Sequence, residues 1–164
     1  MATKGSVELN SNMEEVFDKF KDLTVKEMGR ALKTGVRKGL ILIRNRARQR
    51  FRGMFPAGAR VNPKYSDKLI DGIRATKVQD DKKDGVKGYV LITSNRRTGS
   101  GSYRLVFLEG GTVKRHTRRG YNRGSIKASF FFTSTVNSEQ SNYRNTVVNE
   151  LEKAVDKINN TNLK

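Results

Sequence analysis

The chain has 164 residues, of which 35% are apolar, and its 34 Lys plus Arg against 16 Asp plus Glu give a formal net charge of +18. That length fits one domain with a real core, but so much self-repulsion destabilises a solitary subunit unless an outside counter-charge offsets it, and nucleic acid is the commonest polyanion. The lack of cysteine excludes disulfides, thiolate metal sites and cysteine nucleophiles, and no apolar run approaches the roughly 20 residues that span a bilayer.

Residues 1–10 read as a tail without the apolar core of an export signal, so a soluble protein is expected. Ser11 with Glu14, and Thr24 with Glu27, have the spacing of capping boxes, in which each hydroxyl satisfies an orphan backbone N–H at a helix start. The first opens a short helix with Met13, Val16, Phe17 and Phe20 on one face. The second opens a long helix over 25–51 with the apolar stripe Met28, Leu32, Val36, Leu40, Ile43 and Ala47. Gly35 and Gly39 interrupt it, either to admit another element closely or as tolerated weak positions.

Gly53, Pro56, Gly58 and Pro63 end this helix, and residues 66–71 can form a helical turn. Strands are expected at 73–79 and 86–94, joined as a hairpin through the polar residues 80–85. Residues 95–102 read as a flexible loop, and 103–109 are too few to separate helix from strand. Residues 110–125 read as loop, followed by Phe130, Phe131 and Phe132 buried against the sheet. A last helix over 139–158 carries Tyr143, Val147, Leu151, Ala154, Val155 and Ile158 inward, leaving 159–164 as a tail. The pattern implies one α+β domain over 11–158, with long N-terminal and C-terminal helices packed on a small antiparallel sheet, and flexible basic loops within 95–127.

Little in this order supports catalysis. The only histidine, His116, sits in a run of Arg and Lys, which leaves no triad and no histidine-rich metal site. Asp80, Asp81 and Asp84 alternate with lysines at a hairpin tip, and Glu109 has no partner carboxylate, although it is placed to pair with an arginine or cap a turn. The glycines match neither phosphate-cradling fingerprint. No enzyme, cofactor or metal is expected.

The positive charge is clustered. No acidic residue occurs between Glu27 and Asp67, and Arg30, Lys33, Arg37, Arg44 and Arg48 fall at steps of 3, 4, 7 and 4 along one helix face. A second cluster comprises Lys114, Arg115, Arg118, Arg119, Arg123 and Lys127, with Tyr121 among them. Arginine forks match phosphate and a tyrosine can stack on a base, so both clusters are candidate contacts for a polyanion or acidic partner; a solvated loop is the alternative for the second.

Several segments together resemble the tail-completion, or head–tail joining, proteins of long-tailed bacteriophages. They are residues 31–51, then Ser66-Asp67-Lys68-Leu69-Ile70-Asp71-Gly72-Ile73, then Tyr103-Arg104-Leu105-Val106-Phe107-Leu108-Glu109-Gly110-Gly111-Thr112, then Phe131-Phe132 and the closing amphipathic helix. The chain departs from that pattern in having Ser66-Asp67 where Thr-Gly is usual, an extra glycine between Glu109 and Thr112, and a more basic insert before the phenylalanines. The resemblance implies a virion structural protein of the neck that forms a homo-oligomeric ring. Its neighbours would be the portal-side connector and the tail-tube or tail-terminator proteins, around a channel that passes DNA. It marks Tyr103, Glu109, Gly110 and Thr112 as oligomer or partner contacts, not as catalytic residues. The charge and the Arg/Gly/Tyr loop alone also fit a basic RNA- or DNA-binding protein of ribosomal or nucleoid type.

Overall fold

Apolar residues recur every three or four positions from Val25 to Met54 and no proline intervenes, so the backbone runs as one 30-residue helix, α1. The structure, a computed structural model, describes residues 25–56, 69–81, 85–92 and 103–162. The expected helix at 11–20 with its Ser11 cap, the Thr24 cap, the turns at 57–63, the start of the 66–71 turn, the 82–84 hairpin tip and the 95–102 loop lie outside those residues. Leu32, Val36, Leu40, Ile43, Ala47 and Phe51 are all buried, with Met28 packed at the margin, so the expected stripe is the observed one with Phe51 added.

The partner of α1 is the C-terminal helix, Gln140–Asn162, which runs antiparallel to it with Tyr143, Val147 and Leu151 buried in the seam. Gly35 and Gly39 serve this approach. A Cβ on Gly35 would lie 2.9 Å from Cα of Val147, closer than two such carbons can stand, so the two backbones meet there because α1 has no side chain.

On its other side α1 packs against strands. The hairpin has the expected antiparallel sense, but each expected strand is broken in two. Strand β1 (Ile73–Ala75) pairs with β4 (Val90–Ile92), and β2 (Gln79–Asp81) pairs with β3 (Gly85–Lys87). Ala75 faces Val90 and Gln79 faces Lys87, so three residues oppose two across the gap and the ladder must shift by one, as at a bulge. Thr76 fills the break: its N–H donates to Tyr89 O, and its hydroxyl accepts the Tyr89 N–H, both at 2.8 Å.

The ambiguous segment is a helix, α2 (Arg104–Gly110), with Leu105 buried. The phenylalanines require a correction: they do not bury against the sheet. Phe131 and Phe132 open a further helix, α3 (Phe131–Ser138), and pack on α1, where the rings of Phe51 and Phe131 lie 5.2 Å apart. Phe130 stays exposed, at the left-handed φ of 48°. Glu139 then breaks the chain before α4 (Gln140–Asn162), so the expected last helix is preceded by an eight-residue helix. The described residues thus form four helices and two short antiparallel strand pairs, a small α+β domain in which α1 packs against α3, α4 and the strands.

Candidate polyanion interface

The arc of cations on α1 divides by task. Arg30 and Arg37 are exposed and have no ion pair among the described residues. Lys33 pairs with Asp80 on β2 at 2.7 Å, and Arg44 donates from Nε and Nη2 to Oδ1 of Asn45 at 3.1 and 2.9 Å. Arg48 is turned inward, with Nε and Nη2 donating to the carbonyl of Ile73 at 3.2 and 3.0 Å, which ties α1 to β1. Burial lowers its pKa from the ordinary arginine value, Arg44, Arg52 and Arg74 lower it further, and Asp71 opposes them.

Between α1 and the residues that follow β1 runs a groove of about 740 Å³. Lys33, Arg37, Lys38, Arg44 and Lys77 line it, with Ile41 among its apolar groups. Lys38 and Lys77 escape a reading of the sequence arc. Lys38 is one position off the steps of three and four, and Lys77 comes from the hairpin, which only the fold brings to α1. Lys38 also reaches the Glu150 carboxylate on α4 at 2.6 Å, which Lys153 meets from the other side at 2.9 Å. Hydrogen bonds from Lys38 and then Lys153 hold Glu150 below the usual glutamate pKa, against desolvation.

The second cluster differs from the open loop expected. Residues 112–126 fold back on themselves as an irregular two-stranded ribbon. Its base is closed by Thr112, whose N–H donates to Ile126 O and whose hydroxyl accepts the Ile126 N–H, both at 2.9 Å. Beyond it, Arg123 N–H donates to Arg115 O at 2.7 Å, His116 faces Asn122, and Thr117 N–H donates to Tyr121 O at 2.8 Å. At the end, Gly120 N–H donates to Thr117 O at 2.9 Å and Gly120 takes a φ of 82°. This is the pattern of a three-residue hairpin loop, a turn followed by a left-handed glycine. It sets Arg118 and Arg119 at the tip. Lys114, Arg115, Arg118, Arg119, Arg123 and Lys127 are all exposed, as is Tyr121, at 69%.

The four motif positions belong to the base of this ribbon and to α2. Both carboxylate oxygens of Glu109 accept backbone N–H groups at the start of α3, Oε2 from Phe132 at 2.8 Å and Oε1 from Thr133 at 2.9 Å. Phe130, at the cap position, offers no side-chain cap of its own, so Glu109 supplies it from another helix. Gly110 ends α2 exposed, Gly111 turns the chain at a φ of 72°, and Thr112 starts the ribbon. Tyr103 stands at the opposite end of α2, its ring edge-on to Phe107 at 6.3 Å. The structure thus gathers Glu109, Gly110 and Thr112 at one joint between α2, the ribbon and α3, with Tyr103 apart.

Among the described residues no group of three or more His, Cys, Asp or Glu is placed to hold a metal ion. No described helix is long and apolar enough to cross a membrane. Compared with protein-family models, with curated proteins and with solved structures, the chain gives no match.

Proposed function

We propose that the chain is a structural subunit of the head-to-tail junction of a long-tailed bacteriophage, a tail-completion or connector protein resident in the virion neck. It assembles into a homo-oligomeric ring, or docks on portal-side connector and tail-tube or tail-terminator proteins, around the DNA channel. Its work is assembly and not catalysis. The observation that carries this reading is the Glu109 joint. The segment that resembles the family's Tyr-to-Glu-Gly-Thr stretch and the segment that resembles its aromatic entry to the last helix are bonded into one unit, Glu109 to the N–H groups of Phe132 and Thr133. Two sequence likenesses found 22 residues apart therefore describe one piece of architecture.

Charge adds a physical reason for assembly. Subunits at +18 repel one another in isolation, and a ring uses two different patches per subunit, so carboxylates of one copy can meet cations of the next while the surplus faces DNA. Sedimentation of the purified chain, alone and mixed with the portal-side and tail-tube proteins proposed as its neighbours, tests the reading. A closed ring or a stable complex with either neighbour supports it; a monomer that ignores both overturns it.

The ordered basic ribbon favours a second reading, a nucleic-acid-binding protein of ribosomal or nucleoid type. That reading requires tight, salt-sensitive binding of RNA or DNA by the chain alone and no stable complex with neck proteins.

A further inference from the structure

We propose that the 112–126 ribbon is a probe for duplex DNA that enters the major groove tip first, with Arg118 and Arg119 leading. The inference rests on the polyanion reading of these residues and goes beyond it by naming the partner's form and the mode of entry.

Electrostatics favours an anionic partner for this element. Arg115 and Arg123 are backbone partners across the ribbon, and like charges set opposite one another destabilise a strand pair. No acidic residue occurs between Glu109 and Glu139, and Glu109 is committed to the α3 cap, so neither strand carries a compensating carboxylate. The backbone nevertheless holds the ribbon together through Arg123–Arg115, Thr117–Tyr121 and Thr112–Ile126 bonds. A shape that concentrates repulsion is consistent with an anion arriving from outside.

Dimensions select the anion. Two paired strands lie about 4.8 Å apart before their side chains are added. A B-form major groove, about 12 Å wide, admits such a ribbon as it stands, whereas a minor groove of about 6 Å must first be widened or bent to take it. From Val113 to Thr117 the strand advances about 13 Å at roughly 3.3 Å per residue, which exceeds the groove depth of about 8.5 Å. The body of the domain therefore clears the phosphates while the tip reaches the groove floor. Lys114, Arg115 and Arg123, lying behind the tip, then face the two phosphate walls. Most of these contacts are to backbone, so binding is largely independent of sequence.

The test measures binding of the full-length chain to a 30-base-pair duplex and to a 30-nucleotide single strand by fluorescence anisotropy across a salt series. Variants are Arg118→Ser with Arg119→Ser, Tyr121→Ala, and Arg37→Ser with Lys77→Ser in the groove. Guanine-N7 methylation protection, which needs no variant, reports major-groove occupancy. The expected result is duplex binding preferred over single strand, N7 protection, and at least about tenfold weaker binding by the tip variant. Its salt slope should be shallower by up to about 2 in magnitude, about 1 for each tip arginine that also neutralises a phosphate. If the duplex binds but only the groove variant weakens it, the ribbon proposal falls while the polyanion reading stands. A single-strand preference abolished by Tyr121→Ala overturns it in favour of base stacking. A bound duplex whose guanine N7 atoms stay fully reactive also overturns it. If no nucleic acid binds at low salt, the proposal and the polyanion reading fall together.

Discussion

The ring of Tyr143 occupies the space that a side chain on Gly39 would need: a Cβ there would lie 2.4 Å from Cδ2 and 2.9 Å from Cε2 of the tyrosine. Tyr143 is buried, so its ring has little room to yield. Gly39→Ala should therefore destabilise the protein by up to about 2 kcal/mol, because overpacking costs about 1–3 kcal/mol and helix propensity returns about 1. Gly35→Ala should cost as much or more, since its obstacle is the backbone of Val147. Gly29, in the same helix, has nothing within 4 Å, and Gly29→Ala should stabilise by up to about 1 kcal/mol. Urea unfolding of the three variants checks the reversal of sign; equal effects at all three would contradict the close helix approach.

Glu109 caps a helix to which it does not belong. Glu109→Ala should leave the Phe132 and Thr133 N–H groups without their acceptor and destabilise the chain by about 1–2 kcal/mol, with Glu109→Gln intermediate. Hydrogen exchange at these two amides should quicken first. Unchanged stability and exchange would confine Glu109 to contacts outside the subunit.

Glu150 gives a pH dependence. Its pKa is lower folded than unfolded, because Lys38 and Lys153 hydrogen-bond the charged form. The stabilisation is therefore complete above the ordinary glutamate range near pH 4.3 and fades as the pH falls through the lowered folded value. Urea midpoints measured downward from pH 6 should fall more steeply for the wild type than for Glu150→Gln. Parallel curves would show that the Lys38–Glu150–Lys153 cluster adds nothing.

Arg48 belongs to the fold more than to the charged surface. Arg48→Met keeps the stem but leaves the Ile73 carbonyl without its two donors, and should cost about 1–2 kcal/mol. Nucleic-acid affinity of that variant, measured where it is fully folded, should stay within about twofold of wild type. A loss equal to that of the ribbon tip variant would place Arg48 on the binding surface instead.

Periodicity made α1 and the inner face of α4 legible in the sequence, since a buried stripe of Leu32, Val36, Leu40 and Ile43 leaves a 3–4 repeat that no other element imitates. The same logic hid α3. Phe-Phe-Thr-Ser-Thr-Val-Asn-Ser is rich in β-branched and hydroxyl residues with weak helix propensity, and its helix depends on burial against Phe51 and on a cap donated from α2. The hairpin is visible in the sequence and its interruption only faintly: the inward positions change phase by one residue, from Ile73 and Ala75 to Val78, and so few apolar residues on either side make the change easy to miss. In the candidate site the cations of the arc could be counted, but their tasks could not. That Arg48 faces a carbonyl, Lys33 an aspartate and Lys77 the same groove depends on contacts 25 to 47 residues distant in the chain. The 110–125 stretch read as loop because its glycines and arginines lack alternation, and its ribbon rests on backbone bonds and a glycine turn that composition does not reveal.

The proposed role is tested most directly by the chain's copy number in purified, DNA-filled particles of the phage to which the proposal assigns it, by quantitative mass spectrometry with symmetry-averaged imaging of the neck. A fixed number of copies per particle, matching one closed ring between portal and tail, is the predicted result. Full particles that lack the chain, while it remains in the lysate bound to nucleic acid or to nothing, would contradict it.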